Sequence, residues 1–232
     1  NRYEILERIF TPRPHILLES CSSGGNRFDL GMLCYSPQIW ASDNTDPIER
    51  LSIQKGLSYF YPPCTMGAHV SQSPHQQTLR QTPLSTRFNV AAFGVLGYEL
   101  DLGELSPQEK KQVAAQIAWY KKYRHTLQYG DFSRPCAEKE NIECFLAVSP
   151  DRSTAVLLLA QKLADAAPSG DLLTVRGLRP EARYRVTVVP QQVAIARFGG
   201  LLRHVLPVRL RADGLLLRIA NRHYALPDGA YE

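Results

Sequence analysis

No stretch of the 232-residue sequence approaches eighteen consecutive apolar residues, so no helix of the chain is expected to cross a membrane. No cysteines stand at C-x-x-C spacing and no histidines pair at metal-ligand spacing, so no metal or other cofactor is expected. Basic blocks are missing too. The formal net charge of +5 is spread as 14 Lys/Arg against 12 Asp/Glu over residues 1–136 and 13 against 10 over residues 137–232. A nucleic-acid footprint is a clustered stripe. Arginines here alternate with apolar residues instead, as in Arg183-Tyr184-Arg185-Val186, the pattern of a strand with one wet face. Neither nucleic acid nor membrane is an expected partner. Asn1-Arg2-Tyr3 follows no initiator methionine and no basic-then-apolar leader, an opening expected of a fragment or a processed product. The five cysteines (Cys21, Cys34, Cys64, Cys136, Cys144) are odd in number and scattered, which points to a reducing, cytoplasmic compartment.

What is present is an ordinary globular composition, 44% hydrophobic and 21% charged, in a chain long enough to bury a core. Up to about Cys136, short apolar runs alternate with helical patterns. Ile5, Leu6, Ile9 and Phe10 form a helical stripe ending before Pro12. Strand candidates follow at His15–Cys21, around Gln38–Ala41 and at Leu57–Tyr61, while Val90–Leu100 reads as helix or strand. Asp46, Pro47 and Glu49 have the pattern of a capping box, with Asp46 at the N-cap and Pro47 at N1. Ser106-Pro107-Gln108-Glu109 repeats that chemistry before an apolar face at Val113, Ile117, Tyr120 and Leu127. Beyond Cys136 the pattern turns to period-2 strands at Glu143–Val148, Thr154–Leu159, Leu172–Val175, Arg183–Val189 and Leu215–Ile219.

Strand-then-helix units imply a parallel sheet, because parallel neighbours need crossover connections. Four units fit before Cys136, and a (β/α)₈ barrel takes about 250 residues. The expected fold is therefore α/β plus all-β. Residues 1–136 form the C-terminal half of a TIM barrel and residues 137–232 an antiparallel β-sandwich.

The run Glu19-Ser20-Cys21-Ser22-Ser23-Gly24-Gly25-Asn26-Arg27-Phe28-Asp29-Leu30-Gly31-Met32 resembles a known family. So do Pro37-Gln38-Ile39-Trp40-Ala41-Ser42-Asp43-Asn44-Thr45-Asp46, Met66-Gly67-Ala68-His69-Val70 and Gly97-Tyr98-Glu99-Leu100-Asp101. They are similar to the second half of the catalytic barrel in glycoside hydrolase family thirty-six, the retaining α-galactosidases. The tail rests on Gly177-Leu178-Arg179-Pro180 and Tyr184-Arg185-Val186. The resemblance implies hydrolysis of terminal α-galactosides such as melibiose and raffinose by double displacement. It also implies a homo-oligomeric parent enzyme with the missing N-terminal half of the barrel as partner. The family's Lys-Trp-Asp nucleophile motif has no counterpart, since neither Trp40 nor Trp119 is followed by aspartate. The chain alone is thus expected to be inactive. Other readings are an α-N-acetylgalactosaminidase or transglycosylase on the same scaffold, or a non-catalytic structural or sugar-binding fragment.

Two aspartates compete for the acid/base role. By itself Ser42-Asp43-Asn44-Thr45 reads as turn composition. The resemblance assigns proton donor and acceptor to Asp43, on the loop leaving a strand, where barrel enzymes place catalytic groups. Asp46 has a sufficient job as helix cap, and asparagine should replace it without loss. An acid in that role needs partial burial or a neighbouring carboxylate to keep its proton, and Trp40 is placed to wall it. The resemblance further implies substrate contacts at Cys21, Gly24 and Asn44, the first two forming a shelf of small residues by the sugar's 2-hydroxyl. His69 and His75 are read as structural.

Overall fold

The computed structural model describes residues 2–21, 27–136, 141–163, 171–187, 207–209 and 215–219. It divides into two compact units, Asn1–Tyr129 and Gly130–Glu232.

The first unit opens with helix α1 (Arg2–Phe10), which buries no residue and leaves Ile5 and Ile9 58% and 44% exposed. Four strand–helix units follow: β1 (Glu19–Ser20) with α2 (Leu30–Leu33), β2 (Gln38–Trp40) with α3 (Pro47–Leu57), β3 (Met66–Ser71) with α4 (Leu84–Ala91), and β4 (Val95–Glu99) with α5 (Pro107–Tyr129). The strands lie side by side in the order β1-β2-β3-β4, every pair parallel. All four carboxyl ends therefore reach one edge of the sheet.

Alternation along the strands gives the sheet two unlike faces. Ile39, Met66, Ala68 and Val70, each at most 1% exposed, pack with Leu51, Leu84 and Phe88 beneath the helices. Arg50 reaches from α3 into this layer, donating to the carbonyls of Gly67 and Ser42, while Gln54 Nε2 donates to Val90 O at 3.1 Å. Burial pulls the Arg50 guanidinium down to about 10, with only Glu99 acting to raise it. The opposite face carries Glu19, Gln38, Trp40, His69 and Glu99, none of them buried. Parallel sheets are ordinarily covered on both faces; among the described residues this face is the less covered one, although Gly67 and Ser71 of β3 on it are buried.

Two expectations about elements are corrected. Leu57–Tyr61 is the end of α3 and the turns after it, not a strand. Its aromatics suit a strand, but the helix capped at Asp46 runs through Leu57, and Tyr61 N–H still bonds Leu57 O at 3.0 Å. The third strand is Met66–Ser71, which lacks an alternating pattern because five of its six residues are buried. The ambiguous Val90–Leu100 segment splits at Gly94, where a side chain would sit 2.7 Å from Met66 O and 2.8 Å from Ala68 Cβ.

The second unit is antiparallel where it is described. β5 (Asp131–Ser133), β6 (Ile142–Val148) and β7 (Ala155–Gln161) pair in that order. β8 (Asp171–Val175) pairs with β11 (Leu215–Ile219), and β9 (Arg183–Arg185) with β10 (Pro207–Arg209). Because β5 pairs with β6, residues 131–133 belong with this unit, whereas the sequence reading began it at residue 137. β6, the middle strand, is buried along its whole length rather than on alternate residues, so both of its faces are covered. Its one charge, Glu143, meets Lys162 Nζ at 3.3 Å. Cys136 and Cys144 form a disulfide, leaving Cys21, Cys34 and Cys64 free.

Candidate active site

Asp43 stands at the carboxyl edge of the sheet, three residues past the end of β2, and is exposed. Its Oδ1 accepts a hydrogen bond from Trp40 Nε1 at 3.0 Å. Trp40 was expected as an apolar wall; it meets the carboxylate through its one polar atom. The burial expected around the acid is not provided by the described residues. The indole ring lies 4.3 Å from the His69 ring, centroid to centroid, with the Arg50 guanidinium 5.5 Å from it. His69 Nδ1 in turn faces Glu99 Oε2 at 3.5 Å. Burial lowers the His69 pKa, and the Glu99 carboxylate only partly offsets it.

Asp46, three residues on, has a different environment. It is fully buried and caps α3 by accepting from Ile48 N–H at 2.9 Å. Its carboxylate also takes the Thr78 hydroxyl and, at 2.7 Å, Arg80 Nη1. Burial would push this carboxyl up, but the bonds from Thr78, Ile48 and Arg80 outweigh it and hold the pKa below the ordinary value. The expected capping box is only half made. Glu49 turns to Arg80 at 3.4 Å, and the Asp46 N–H goes to Asn44 Oδ1 at 3.1 Å. At Ser106 and Glu109 both arms of the box do form.

Thr45 extends the same buried floor. Its hydroxyl sits 3.0 Å from His75 Nε2, and its carbonyl accepts from Ser71 Oγ at the end of β3. His75 Nδ1 accepts from the N–H groups of Gln77 and Thr78, which leaves Nε2 to carry the proton and donate to Thr45. His75 is thus a satisfied structural histidine. Leu79, between Thr78 and Arg80, takes the left-handed conformation (φ 56°) although it is 75% exposed. That turn lets both neighbours reach Asp46.

Of the other residues singled out from the sequence, Cys21 is exposed and directly follows β1. Ser20 is in register with Ile39, so Cys21 stands one step on, level with Trp40 at the same edge as Asp43. Asn44 Oδ1 accepts the Asp46 N–H, while its amide NH₂ makes no hydrogen bond among the described residues. Gly24 lies outside the described residues. The indole bond to Asp43 and the Thr78–Arg80 clamp on Asp46 were not anticipated. The Trp-x-x-Asp spacing at a strand end was the available signal for the first. The second spans more than thirty residues and leaves no local trace.

Residues 1–130 match the Melibiase family model, and residues 142–216 match that of the Glycosyl hydrolase family 36 C-terminal domain. Alpha-galactosidase 1 of Pediococcus pentosaceus is 48% identical over 184 residues, which is 79% of this chain and 25% of that protein. Alpha-galactosidase AgaA of Geobacillus stearothermophilus is 44% identical over 185 residues, with the same shares. A solved structure of an AgaA variant in complex with raffinose superposes with a TM-score of 0.77 at 37% identity, covering 94% of this chain and 31% of that one. The chain spans about a quarter of the length of these curated relatives. With both family models matched in order along it, the chain belongs to the melibiase family, the α-galactosidases of glycoside hydrolase family 36.

Proposed function

We propose that this chain supplies the general acid/base of a retaining α-galactosidase acting on terminal α-galactosides of the melibiose and raffinose type, and that the nucleophile comes from sequence outside it. The observation that carries the reading is the position of Asp43. It is an exposed carboxylate at the carboxyl edge of a parallel α/β sheet, and among the described residues the Trp40 indole is the one group that hydrogen-bonds it. The partly exposed Trp40, His69 and Glu99 on one face of the sheet and the exposed Ile5, Ile9 and Leu17 support a larger barrel, whose remaining strands would enclose that face and bury the acid. Cys21, Gly24 and the Asn44 amide are proposed substrate contacts.

In the first step Asp43 protonates the leaving glycosidic oxygen while the nucleophile, about 5–5.5 Å from it, takes the anomeric carbon. In the second step Asp43 removes a proton from the water that releases galactose. The test is Asp43→Asn in the full-length enzyme. Melibiose hydrolysis should fall by roughly 10²–10⁴. The first step on a dinitrophenyl galactoside, whose phenolate leaves unaided, should hardly change. Galactosyl-enzyme should then accumulate, and azide, attacking its open face, should restore turnover and give the α-linked galactosyl azide. Equal slowing of both substrates with no effect of azide would make Asp43 a turn residue.

A further inference from the structure

We propose that Trp40 is the positioning residue for this acid/base, its indole N–H deciding which oxygen of Asp43 carries the transferable proton. The inference rests on the assignment of Asp43 above. An indole nitrogen donates and does not accept. Oδ1, 3.0 Å from Nε1, meets it with a lone pair, and because the carbonyl oxygen of a carboxylic acid is a better acceptor than its hydroxyl, the acid's hydrogen is favoured on Oδ2. When the glycosidic bond breaks, its electron pair stays on the leaving oxygen, which takes the proton from Oδ2. In the second step Oδ2 recovers a proton from the attacking water as the carbon–nucleophile bond opens. The indole stays on Oδ1 throughout.

The donor has little freedom. Trp40 ends β2, and its ring rests on Gly67 of β3, where a Cβ would lie 3.0 Å from Cε3. His69, two residues further along β3, covers the ring from the side at 4.3 Å. His69 itself lies over Gly97 of β4, where any side chain would collide with the imidazole, and Glu99 holds its Nδ1 at 3.5 Å. Arg50 of α3 closes in at 5.5 Å. Three strands and a helix thus fix one N–H. A phenylalanine would fill the same space; what the indole adds is a directed donor, and the acceptor it meets is Asp43. On an exposed loop, where a carboxylate would otherwise turn among rotamers, that contact sets its direction.

The experiment compares kcat/KM for melibiose and for 2,4-dinitrophenyl α-galactoside in the full-length enzyme, because kcat/KM follows the first step. Trp40→Phe keeps the ring and removes the N–H. Melibiose turnover should fall about tenfold, the worth of one hydrogen bond to a charged group, with the dinitrophenyl substrate unchanged. Gly67→Ala keeps the N–H but crowds the ring from below, and should give the same split at about twofold. It decides the matter if Trp40→Phe does not fold. A merely structural tryptophan would slow both substrates alike. If Asp43→Asn shows the split while Trp40→Phe and Gly67→Ala slow both substrates equally, or neither, the positioning role is wrong and the acid/base assignment stands. If Asp43→Asn shows no split, the assignment falls and the positioning role with it.

Discussion

Asp43 and Asp46 sit three residues apart on one loop and could hardly be treated more differently. Asp46 is buried beneath the edge of the sheet beside Thr45 and His75, its carboxylate bonded to a backbone N–H, the hydroxyl of exposed Thr78 and the guanidinium of half-exposed Arg80. Asp43 is exposed, with a single partner among the described residues. Burying a carboxylate is tolerable only when its bonds are all made, so the floor of the loop is committed to structure. The rim has no such commitment. A carboxylate kept at the open edge of the sheet with spare bonding capacity is available for chemistry.

The largest effect should come from breaking the floor. Asp46→Ala removes the cap, worth about 1 kcal/mol, and a charge-assisted bond worth about 1.5–3 kcal/mol, so thermal unfolding should show a loss of about 3 kcal/mol. Asp43→Ala, a surface change, should stay within about 0.5 kcal/mol of wild type. Asparagine at position 46 can still cap, but it gives up the charge that faces Arg80. The expectation of a neutral Asp46→Asn is therefore revised to a loss of about half that of alanine. The pH dependence has a definite sign. The folded carboxyl titrates below its unfolded value of 3.8, so its contribution is complete above that pH and is lost as pH falls through the folded value. In Asp46→Asn that acid-side loss should shrink. Equal melting of the Asp43 and Asp46 variants would erase the distinction between rim and floor.

A smaller change should sharpen it. Leu79 holds a left-handed backbone that leucine disfavours, and three-quarters of its surface is exposed, so its side chain contributes little packing. Glycine accepts that conformation without strain at some cost in unfolded-chain entropy. Leu79→Gly should stabilise the chain by about 0.5–1 kcal/mol and leave any activity unchanged. A destabilised Leu79→Gly would mean the leucine is packed against something.

How much of this was legible in the sequence follows from range. The cap at Asp46 is a local pattern and was readable; its partners Thr78 and Arg80 are 32 and 34 residues away and were not. The Asp-Pro-x-Glu spacing overstated the capping box, because Arg80 competes for Glu49 and Asn44 for the Asp46 N–H. Five strands of the second unit (β6, β7, β8, β9 and β11) were placed within a few residues by alternation, but β5 and β10 were not, and β3 was missed because a strand with five of six residues buried does not alternate. Its glycine and histidine, which look unlike a strand, are the residues that seat Trp40. Only the family resemblance directed attention to Asp43, since an exposed turn aspartate carries no signal of its own.

The most direct test of the proposal that this chain carries the acid/base and another segment the nucleophile is complementation. The 232 residues should show no hydrolysis of an aryl α-galactoside alone. Co-expressed with the portion of the Pediococcus pentosaceus enzyme that precedes the matched region, they should form an active complex. The same complex carrying Asp43→Asn should lose melibiose hydrolysis. Robust activity of the isolated chain, or full melibiose activity in the Asp43→Asn complex, would contradict the account.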